Sequence, residues 1–209
     1  MVFVYNLLWS QAPFLVLGIC IAALIGYLYF SPLCYFSLFF FLFCLYFFRN
    51  PERVCSARDS FSIVCPADGK IIAIEEGDEC RKVAIYLSLW DVHVQWAPIS
   101  GLLTDISYHP GKFFRSFTPK CSLENEYNLI RIEHESGQTI TVRQIAGFVA
   151  RRIVCWVKAG QEIKVCKKFG MIRFGSQVEI TIPKSAELFV SLDERVFGGK
   201  TLLGRLEQL

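Results

Sequence analysis

The first 48 residues of the chain contain no Asp, Glu, Lys or Arg. The 22 basic and 19 acidic residues all lie in the 161 residues that follow, and they make up about a quarter of that part. A quarter is ordinary for a soluble domain, whereas a long uncharged stretch is typical of membrane-embedded sequence. The contrast excludes a disordered chain and a polytopic transporter. It predicts a membrane-embedded N-terminus, residues 1–48, followed by one globular domain, residues 49–209.

The uncharged segment consists of two nearly continuous apolar runs, Pro13–Phe30 and Leu33–Phe48, separated by Ser31-Pro32. Proline breaks a continuing helix but is tolerated in the first turn of a new one, so the two runs predict a helical hairpin. At about 1.5 Å per residue the runs would be roughly 27 and 24 Å long, against a hydrocarbon core of about 30 Å. We therefore expect either two transmembrane spans or a re-entrant hairpin.

The residues around the hairpin indicate its orientation. No basic residue precedes the first run, which argues against a cleaved signal peptide. The first basic residues after it are Arg49 and Arg53, and basic residues concentrate on the cytoplasmic side of a membrane. We expect a globular domain at the cell membrane that faces the cytoplasm. Such a domain would meet lipids at high effective concentration, which makes a lipid head group a natural substrate class.

Charge and cysteine usage exclude further classes. The net charge of +3 is small and no Lys/Arg run exceeds two residues, so nucleic-acid binding is not indicated. The nine cysteines are odd in number and contain no Cys-x-x-Cys pair. We therefore expect no metal site and no disulfide framework, with the cysteines reduced and serving as small apolar side chains.

The globular part is predicted to be mainly β, with a barrel-like or sandwich-like domain. From Cys65 onward, short segments rich in Val, Ile, Phe and Tyr alternate with turn residues. A hairpin turn is predicted at residues 135–138, and Gly160, Gly170 and Gly198-Gly199 indicate further turns. The expected strands are Lys70–Glu75, Val83–Leu89, Leu129–Glu133, Thr139–Ile145, Ile153–Lys158, Val178–Ile182 and Leu188–Ser191.

Several motifs follow one another along the globular part. They are Phe47-Phe-Arg-Asn-Pro-Glu52, Pro66-Ala-Asp-Gly69, Asp91-Val-His93 with Ala97-Pro-Ile-Ser-Gly101, Gln144-Ile-Ala-Gly147, Ala150-Arg-Arg152 and Phe169-Gly-Met-Ile-Arg-Phe-Gly-Ser176. In this order the set resembles the phosphatidylserine decarboxylase proenzymes, in particular their short, membrane-associated form. The resemblance implies a pyruvoyl-dependent lyase of phospholipid biosynthesis. Such an enzyme converts phosphatidylserine to phosphatidylethanolamine with release of CO2.

For Gly175-Ser176 the resemblance implies the self-cleavage site of a zymogen. The Ser176 hydroxyl would attack the preceding carbonyl, which glycine leaves unhindered. Elimination and hydrolysis would then convert Ser176 into a covalent pyruvoyl group, which forms a Schiff base with the substrate amine and accepts electrons. The cut would give a large chain, residues 1–175, and a small chain, residues 176–209. We expect the two to remain together as a heterodimer or within a higher oligomer.

The resemblance also assigns catalytic roles to Asp68 and His93. Asp68 matches the family's self-processing acid, and His93 matches the first of two histidines in the longer form. Trp96 stands where the second histidine would fall, so an Asp-His-Ser triad cannot be copied onto this chain. Either His93 serves both steps, or processing relies on Asp68 with water or another group. By residue type alone, Asp before Gly is usually a turn former and a strand histidine is usually ordinary.

Three further residues are candidates for substrate binding. His109 and Lys112 lie in a stretch that also looks like the family, and Lys112 could meet a phosphate. Arg152 could contact the phosphodiester or an anionic lipid. Adjacent strand residues point to opposite faces, so at most one of Arg151 and Arg152 would serve a given pocket. The alternative for Arg152 is a solvated surface arginine.

Two other functions compete with this interpretation. A membrane-tethered carrier or adaptor module, similar to lipoyl or biotinyl domains, would present a lysine in a tight turn beside a methionine, but Met171 has no neighbouring lysine. A metallohydrolase would use His93, His109 and His134. Their spacings of 16 and 25 residues match no short metal-ligand signature.

Overall fold

The computed structural model describes residues 13–29, 31–112, 114, 124–147, 152–173 and 176–208. The chain divides into two compact units, Met1–Glu52 and Arg53–Leu209. The described part of the first unit is mainly helical. The second unit is built mainly from β-strands.

The first unit is a helical hairpin. Helix α1 spans Pro13–Tyr29 and helix α2 spans Ser31–Phe47. The two helices pack side by side, and Gly26 permits their close approach because a Cβ there would lie 2.5 Å from the Cys34 nitrogen. Pro32 lies in the first turn of α2, where proline is tolerated. The predicted helical hairpin is confirmed.

The outer surface of the hairpin is apolar. Among the described residues, neither helix combines the length and hydropathy needed to cross a membrane, so the two transmembrane spans considered from the sequence are not found. Large apolar side chains are nevertheless exposed along both helices, including Phe14, Leu24, Tyr27, Tyr35, Phe36, Phe39 and Leu42.

The second unit is mainly β, as predicted. Its strands are β1 (Ser62–Val64), β2 (Gly69–Glu76), β3 (Cys80–Leu87), β4 (Val94–Trp96), β5 (Gly101–His109), β6 (Tyr127–Glu133), β7 (Thr139–Ala146), β8 (Ile153–Cys155), β9 (Glu162–Ile163), β10 (Lys168–Ile172), β11 (Ser176–Pro183), β12 (Glu187–Leu188), β13 (Arg195–Val196) and β14 (Leu202–Arg205).

Within the described residues these strands form one large antiparallel sheet and two small ones. The large sheet has the order β13-β2-β3-β11-β7-β6-β5-β9, so β11 lies in its interior between β3 and β7. The small sheets have the orders β4-β10-β8 and β1-β14-β12. Val178, Ile180 and Ile182 alternate along β11 and are completely buried, because side chains two residues apart share one face of a strand.

The structure confirms most predicted strands and corrects details. The turn at residues 135–138 joins β6 and β7 as predicted, with Gly137 at a φ of 78°. The strand expected over Ile153–Lys158 ends at Cys155. Gly170 is not in a turn but inside β10, where a Cβ would lie 2.5 Å from the Val154 carbonyl oxygen. The reason for glycine at position 170 is therefore close packing between strands.

The expectation that the cysteines are reduced is wrong for one pair. Cys55 and Cys166 form a disulfide across 111 residues of sequence. Spacing along the chain could not reveal this pair, because the fold of the second unit brings the two residues together. Cys65 is a buried thiol, and burial raises its pKa and keeps it protonated. Cys121 lies outside the described residues.

We predict that Cys166→Ser lowers the free energy of unfolding by about 2–4 kcal/mol, because the disulfide closes a long loop of the unfolded chain. Urea denaturation with and without a reductant measures the difference. Cys80→Ser removes an exposed thiol without a disulfide partner and should change stability by less than about 0.5 kcal/mol. Equal stability of the wild type and Cys166→Ser, or alkylation of both Cys55 and Cys166 in the native protein, would contradict the assignment.

Candidate active site

Ser176 is the first residue of β11 and lies at one end of the large sheet. Its backbone pairs with Leu87, the last residue of β3, and with Ala146, the last residue of β7. Both neighbours are completely buried. The structure describes Ser176 by its backbone, and Gly175 lies outside the described residues. Ser176, the residue expected to attack, thus lies between two buried apolar neighbours at this end of the sheet.

Asp68 lies beside the same end of β3, on the side opposite β11. It immediately precedes β2, in which Lys70 pairs with Tyr86 of β3. Gly69 has a φ of 152°, and a Cβ there would lie 2.2 Å from the Tyr86 carbonyl oxygen, so the Asp-Gly turn packs directly on β3. Because neighbouring strands are about 4.8 Å apart, the backbones of β2 and β11 are separated by roughly 10 Å.

The Asp68 carboxylate is buried and accepts hydrogen bonds from two parts of the chain. Arg53 Nη1 donates to Oδ1 at 2.5 Å, and Arg53 Nη2 donates to Oδ2 at 2.8 Å. The backbone N–H of Gly198 also donates to Oδ1, at 2.8 Å. The side chains of Arg53 and Asp68 are only 9% and 6% exposed. Asp68 is therefore more than a surface turn residue, because its charge is buried and compensated.

His93 precedes β4 and is completely buried. Its Nδ1 lies 2.9 Å from the Asp91 carbonyl oxygen. A carbonyl oxygen only accepts hydrogen bonds, so the proton of the neutral ring belongs on Nδ1. Proton exchange is then left to Nε2. The His93 carbonyl oxygen accepts from the Ile172 N–H at 3.1 Å, which attaches His93 to β10, the strand that leads towards Ser176.

The carboxylate of Asp91 has a different role from its carbonyl group. It accepts from the backbone N–H and the hydroxyl of Ser88, at 2.9 and 2.7 Å, and it pairs with Arg195. These contacts close the loop between β3 and β4. Asp91 therefore holds the loop that presents His93.

Three buried side-chain amides form a hydrogen-bonded series that ends at the His93 carbonyl oxygen. The sequence alone assigns no role to these amides. Gln95 Nε2 donates to the His93 carbonyl oxygen at 2.7 Å, and Gln144 Nε2 donates to Gln95 Oε1 at 2.8 Å. Asn128 Nδ2 donates to Gln144 Oε1 at 2.9 Å. Buried amides fully engaged in this way fix the relative positions of the strands that carry them. Gln144 begins the motif Gln144-Ile-Ala-Gly147, which is the signal that the sequence offers for this series of amides.

The proposed substrate-binding residues His109 and Lys112 lie near the β7 side of the site. The His109 ring stacks on Tyr127 with centroids 4.5 Å apart, and Lys112 forms an exposed ion pair with Glu124 at 2.7 Å. Lys112 bridges to Asn125, whose Nδ2 donates to the Ala146 carbonyl oxygen at 2.7 Å. Ala146 pairs with Ser176, so this segment is connected to the cleavage end of the sheet.

Two arginines meet where β10 ends. The Arg173 N–H donates to the Arg152 carbonyl oxygen at 3.2 Å. Burial, and then the positive charge of Arg152, lower the pKa of the Arg173 guanidinium. Arg152 is exposed, whereas Arg151 lies outside the described residues. Arg173 was overlooked as a separate candidate, although it belongs to the motif that ends at Ser176.

Comparison with known proteins confirms the resemblance to a known family. The family profile described as phosphatidylserine decarboxylase matches residues 40–204. A phosphatidylserine decarboxylase proenzyme from Magnetococcus marinus is 42% identical over an alignment of 171 positions, with 78% of each chain covered. Another, from Burkholderia multivorans, is 39% identical over an alignment of 173 positions, with 80% of each chain covered.

A match over most of the chain, at this identity, defines the class of the protein as a decarboxylase proenzyme. The chain belongs to the phosphatidylserine decarboxylase family. Membership in this family sets aside the carrier and metallohydrolase alternatives.

Proposed function

We propose that this chain cleaves itself between Gly175 and Ser176 and then decarboxylates phosphatidylserine to phosphatidylethanolamine. Family membership supports the reaction and the proenzyme character. The observation that carries the assignment to these residues is the place of Ser176. Ser176 is the first residue of an interior strand, at the sheet end beside which Asp68 lies. Strand β10, which binds the His93 carbonyl oxygen through Ile172, packs on Gln144 near the same end of β7.

Self-cleavage between Gly175 and Ser176 needs no external oxidant or reductant. Ser176 Oγ loses its proton and attacks the Gly175 carbonyl carbon, and the C–N bond breaks as the nitrogen gains a proton, which leaves an ester. Loss of the Cα proton of residue 176 then breaks the Cβ–Oγ bond and expels the Gly175 carboxylate. The remaining enamine takes up water and releases ammonia, which leaves a keto group on residue 176.

The surroundings of residue 176 suit such a group. Its backbone is held by β3 and β7, and the paired residues Leu87 and Ala146 are completely buried, so a new chain end there would be fixed in position and shielded from water. A pyruvoyl group supplies a keto carbon that combines with the substrate amine and accepts the electrons left by departing CO2. The chain itself would hold this group in position and shield it from water.

Two side chains are assigned to proton transfer and electrostatics. His93 Nε2 takes up a proton from solvent and delivers it to the substrate carbon after CO2 has left, because Nδ1 already carries the proton that binds the Asp91 carbonyl oxygen. Asp68 supports the self-cleavage step as a buried carboxylate beside the end of β3. His109, Lys112 and Arg152 are proposed to contact the phosphodiester of the lipid, at the margin of the site.

The remaining expectations concern assembly and location. The small chain, residues 176–209, begins with β11, which pairs along its length with strands of the large chain. We infer that the two chains remain associated after the cut. The exposed apolar side chains of α1 and α2 are proposed to insert into the membrane surface as a re-entrant hairpin, with the β unit on the cytoplasmic side.

We predict that Ser176→Ala abolishes both self-cleavage and decarboxylation, because the attacking oxygen is absent. Denaturing electrophoresis reports the cut, and release of CO2 from carboxyl-labelled phosphatidylserine in vesicles reports the reaction. Ser185→Ala, in an exposed turn after β11, should cut and react as the wild type does. An intact Ser176→Ala chain that retains wild-type decarboxylation would refute the proposed function.

We predict that His93→Gln lowers decarboxylation per cut molecule by about 10²–10⁴-fold, because the proton donor is lost while a buried polar group is kept. The cut fraction is measured on the same sample, so that an effect on processing is separated from an effect on turnover. His134→Gln provides a matched control, since His134 lies at the β6–β7 turn. Wild-type turnover by His93→Gln would remove His93 from the decarboxylation step.

A further inference from the structure

Arg53 is a basic residue that binds Asp68 of the candidate site directly. It lies just after the hairpin, and the sequence suggested only a charge flanking the membrane. In the structure its guanidinium forms the fork-shaped pair with Asp68 described above, and Nη1 also donates to the Gly198 carbonyl oxygen at 2.5 Å. Since its side chain is only 9% exposed, Arg53 is an interior residue of the β unit.

Trp96 supports the Arg53 guanidinium from one face. The guanidinium carbon lies 4.3 Å from the centre of the Trp96 ring, a cation–π contact in a buried place. The ring in turn packs on Gly198, where a Cβ would lie 2.5 Å from Trp96 Cε3. Trp96 occupies the position that the sequence comparison gave to the second histidine of the longer family form. The space beside Asp68 is thus filled by a tryptophan and an arginine.

The backbone that carries Arg53 is fixed independently of Asp68. Two residues later, Cys55 is joined to Cys166 by the disulfide. The next residue, Ser56, donates its N–H to the Gly199 carbonyl oxygen at 3.4 Å. Because the two residues are attached to Cys166 and to Gly199 shortly after Arg53, Arg53 reaches Asp68 from a defined direction.

We propose that Arg53 is a positioning residue for self-cleavage, which holds the Asp68 carboxylate in one orientation at the end of β3, beside the strand that begins with Ser176. This inference rests on the proposed function. Arg53 acts through Asp68 and does not touch the reacting atoms. Arg53 would thereby support Asp68 in a chain that has Trp96 where the longer family form has its second histidine.

The two parallel hydrogen bonds to Asp68 require a guanidinium group at position 53. A guanidinium binds both carboxylate oxygens with parallel N–H bonds and stacks flat on an aromatic ring, whereas an ammonium does neither. If position 53 only had to supply positive charge, lysine would suffice. If it has to orient Asp68, lysine would not.

The test follows self-cleavage over time in chains made by cell-free synthesis with vesicles present. Arg53→Lys should slow cleavage by about tenfold or more, because a small misplacement of a supporting group has large effects on rate. Turnover per cut molecule should remain within about twofold of the wild type, since Asp68 is assigned to processing rather than to turnover. In Arg53→Ala, millimolar guanidinium chloride should accelerate cleavage, whereas equal sodium chloride should not.

Arg81→Lys is the matched control. Arg81 also pairs with a carboxylate, Glu76, and with a backbone carbonyl, that of Ala186. It lies at the opposite end of β3 from Leu87, so its replacement should leave cleavage unchanged. Thermal unfolding of Arg53→Lys in the Ser176→Ala background, where no cut occurs, shows whether the fold persists.

The outcomes separate this inference from the proposed function. Wild-type cleavage rates in both Arg53 variants would overturn the positioning role, and so would unfolding of both variants without rescue by guanidinium. In each case, cleavage of the wild type after Gly175 would leave the proposed function intact. A wild type that is never cut would instead overturn the proposed function itself.

Discussion

The two-sided pairing of β11 is the interaction on which the rest of the structure depends. Residues 176–183 pair with β3 along the whole strand, and residues 176–181 pair with β7. The apolar side chains of β11 lie in the core of the β unit. A strand held in this way stays in place even if the chain is broken before its first residue. The proposed backbone cut before Ser176 would lie outside the strand, so the fold is compatible with it.

Buried carboxylates around β11 form ion pairs with arginine side chains. A buried carboxylate without a partner would be strongly destabilising, so each needs a cation or donor nearby. Three buried carboxylates pair with an arginine, and these pairs are Asp68 with Arg53, Asp91 with Arg195, and Glu179 with Arg143. A fourth buried carboxylate, Glu126, hydrogen-bonds with Tyr108 instead. Compensation of this kind fixes the loops between the strands, because the geometry of an arginine–carboxylate pair is directional. The amide chain that ends at the His93 carbonyl oxygen does the same for β4.

Local patterns predicted the parts of this arrangement that depend on neighbouring residues. The alternation of Val178, Ile180 and Ile182 predicts β11, and the turn at residues 135–138 predicts the β6–β7 hairpin. Family-like motifs indicated Asp68, His93 and Ser176, although residue type alone gave them no role. The comparisons confirm the family, whereas the roles of these residues remain predictions.

Contacts between distant parts of the chain could not be predicted in this way. Arg53 and Asp68 are separated by 15 residues, and Cys55 and Cys166 by 111. No period or spacing links such residues, because only the folded sheets bring them together. The prediction of a turn at Gly170 is wrong for a related reason. Glycine permits both a tight turn and close packing between strands, and only the neighbouring strand β8 distinguishes the two.

The most direct test of the central claim is the intact mass of the purified chain before and after treatment with a carbonyl reagent. We predict two polypeptides that copurify, residues 1–175 and residues 176–209, and a small chain whose first residue carries a keto group that reacts with the reagent. A single polypeptide of 209 residues that decarboxylates phosphatidylserine and takes up no carbonyl reagent would contradict it.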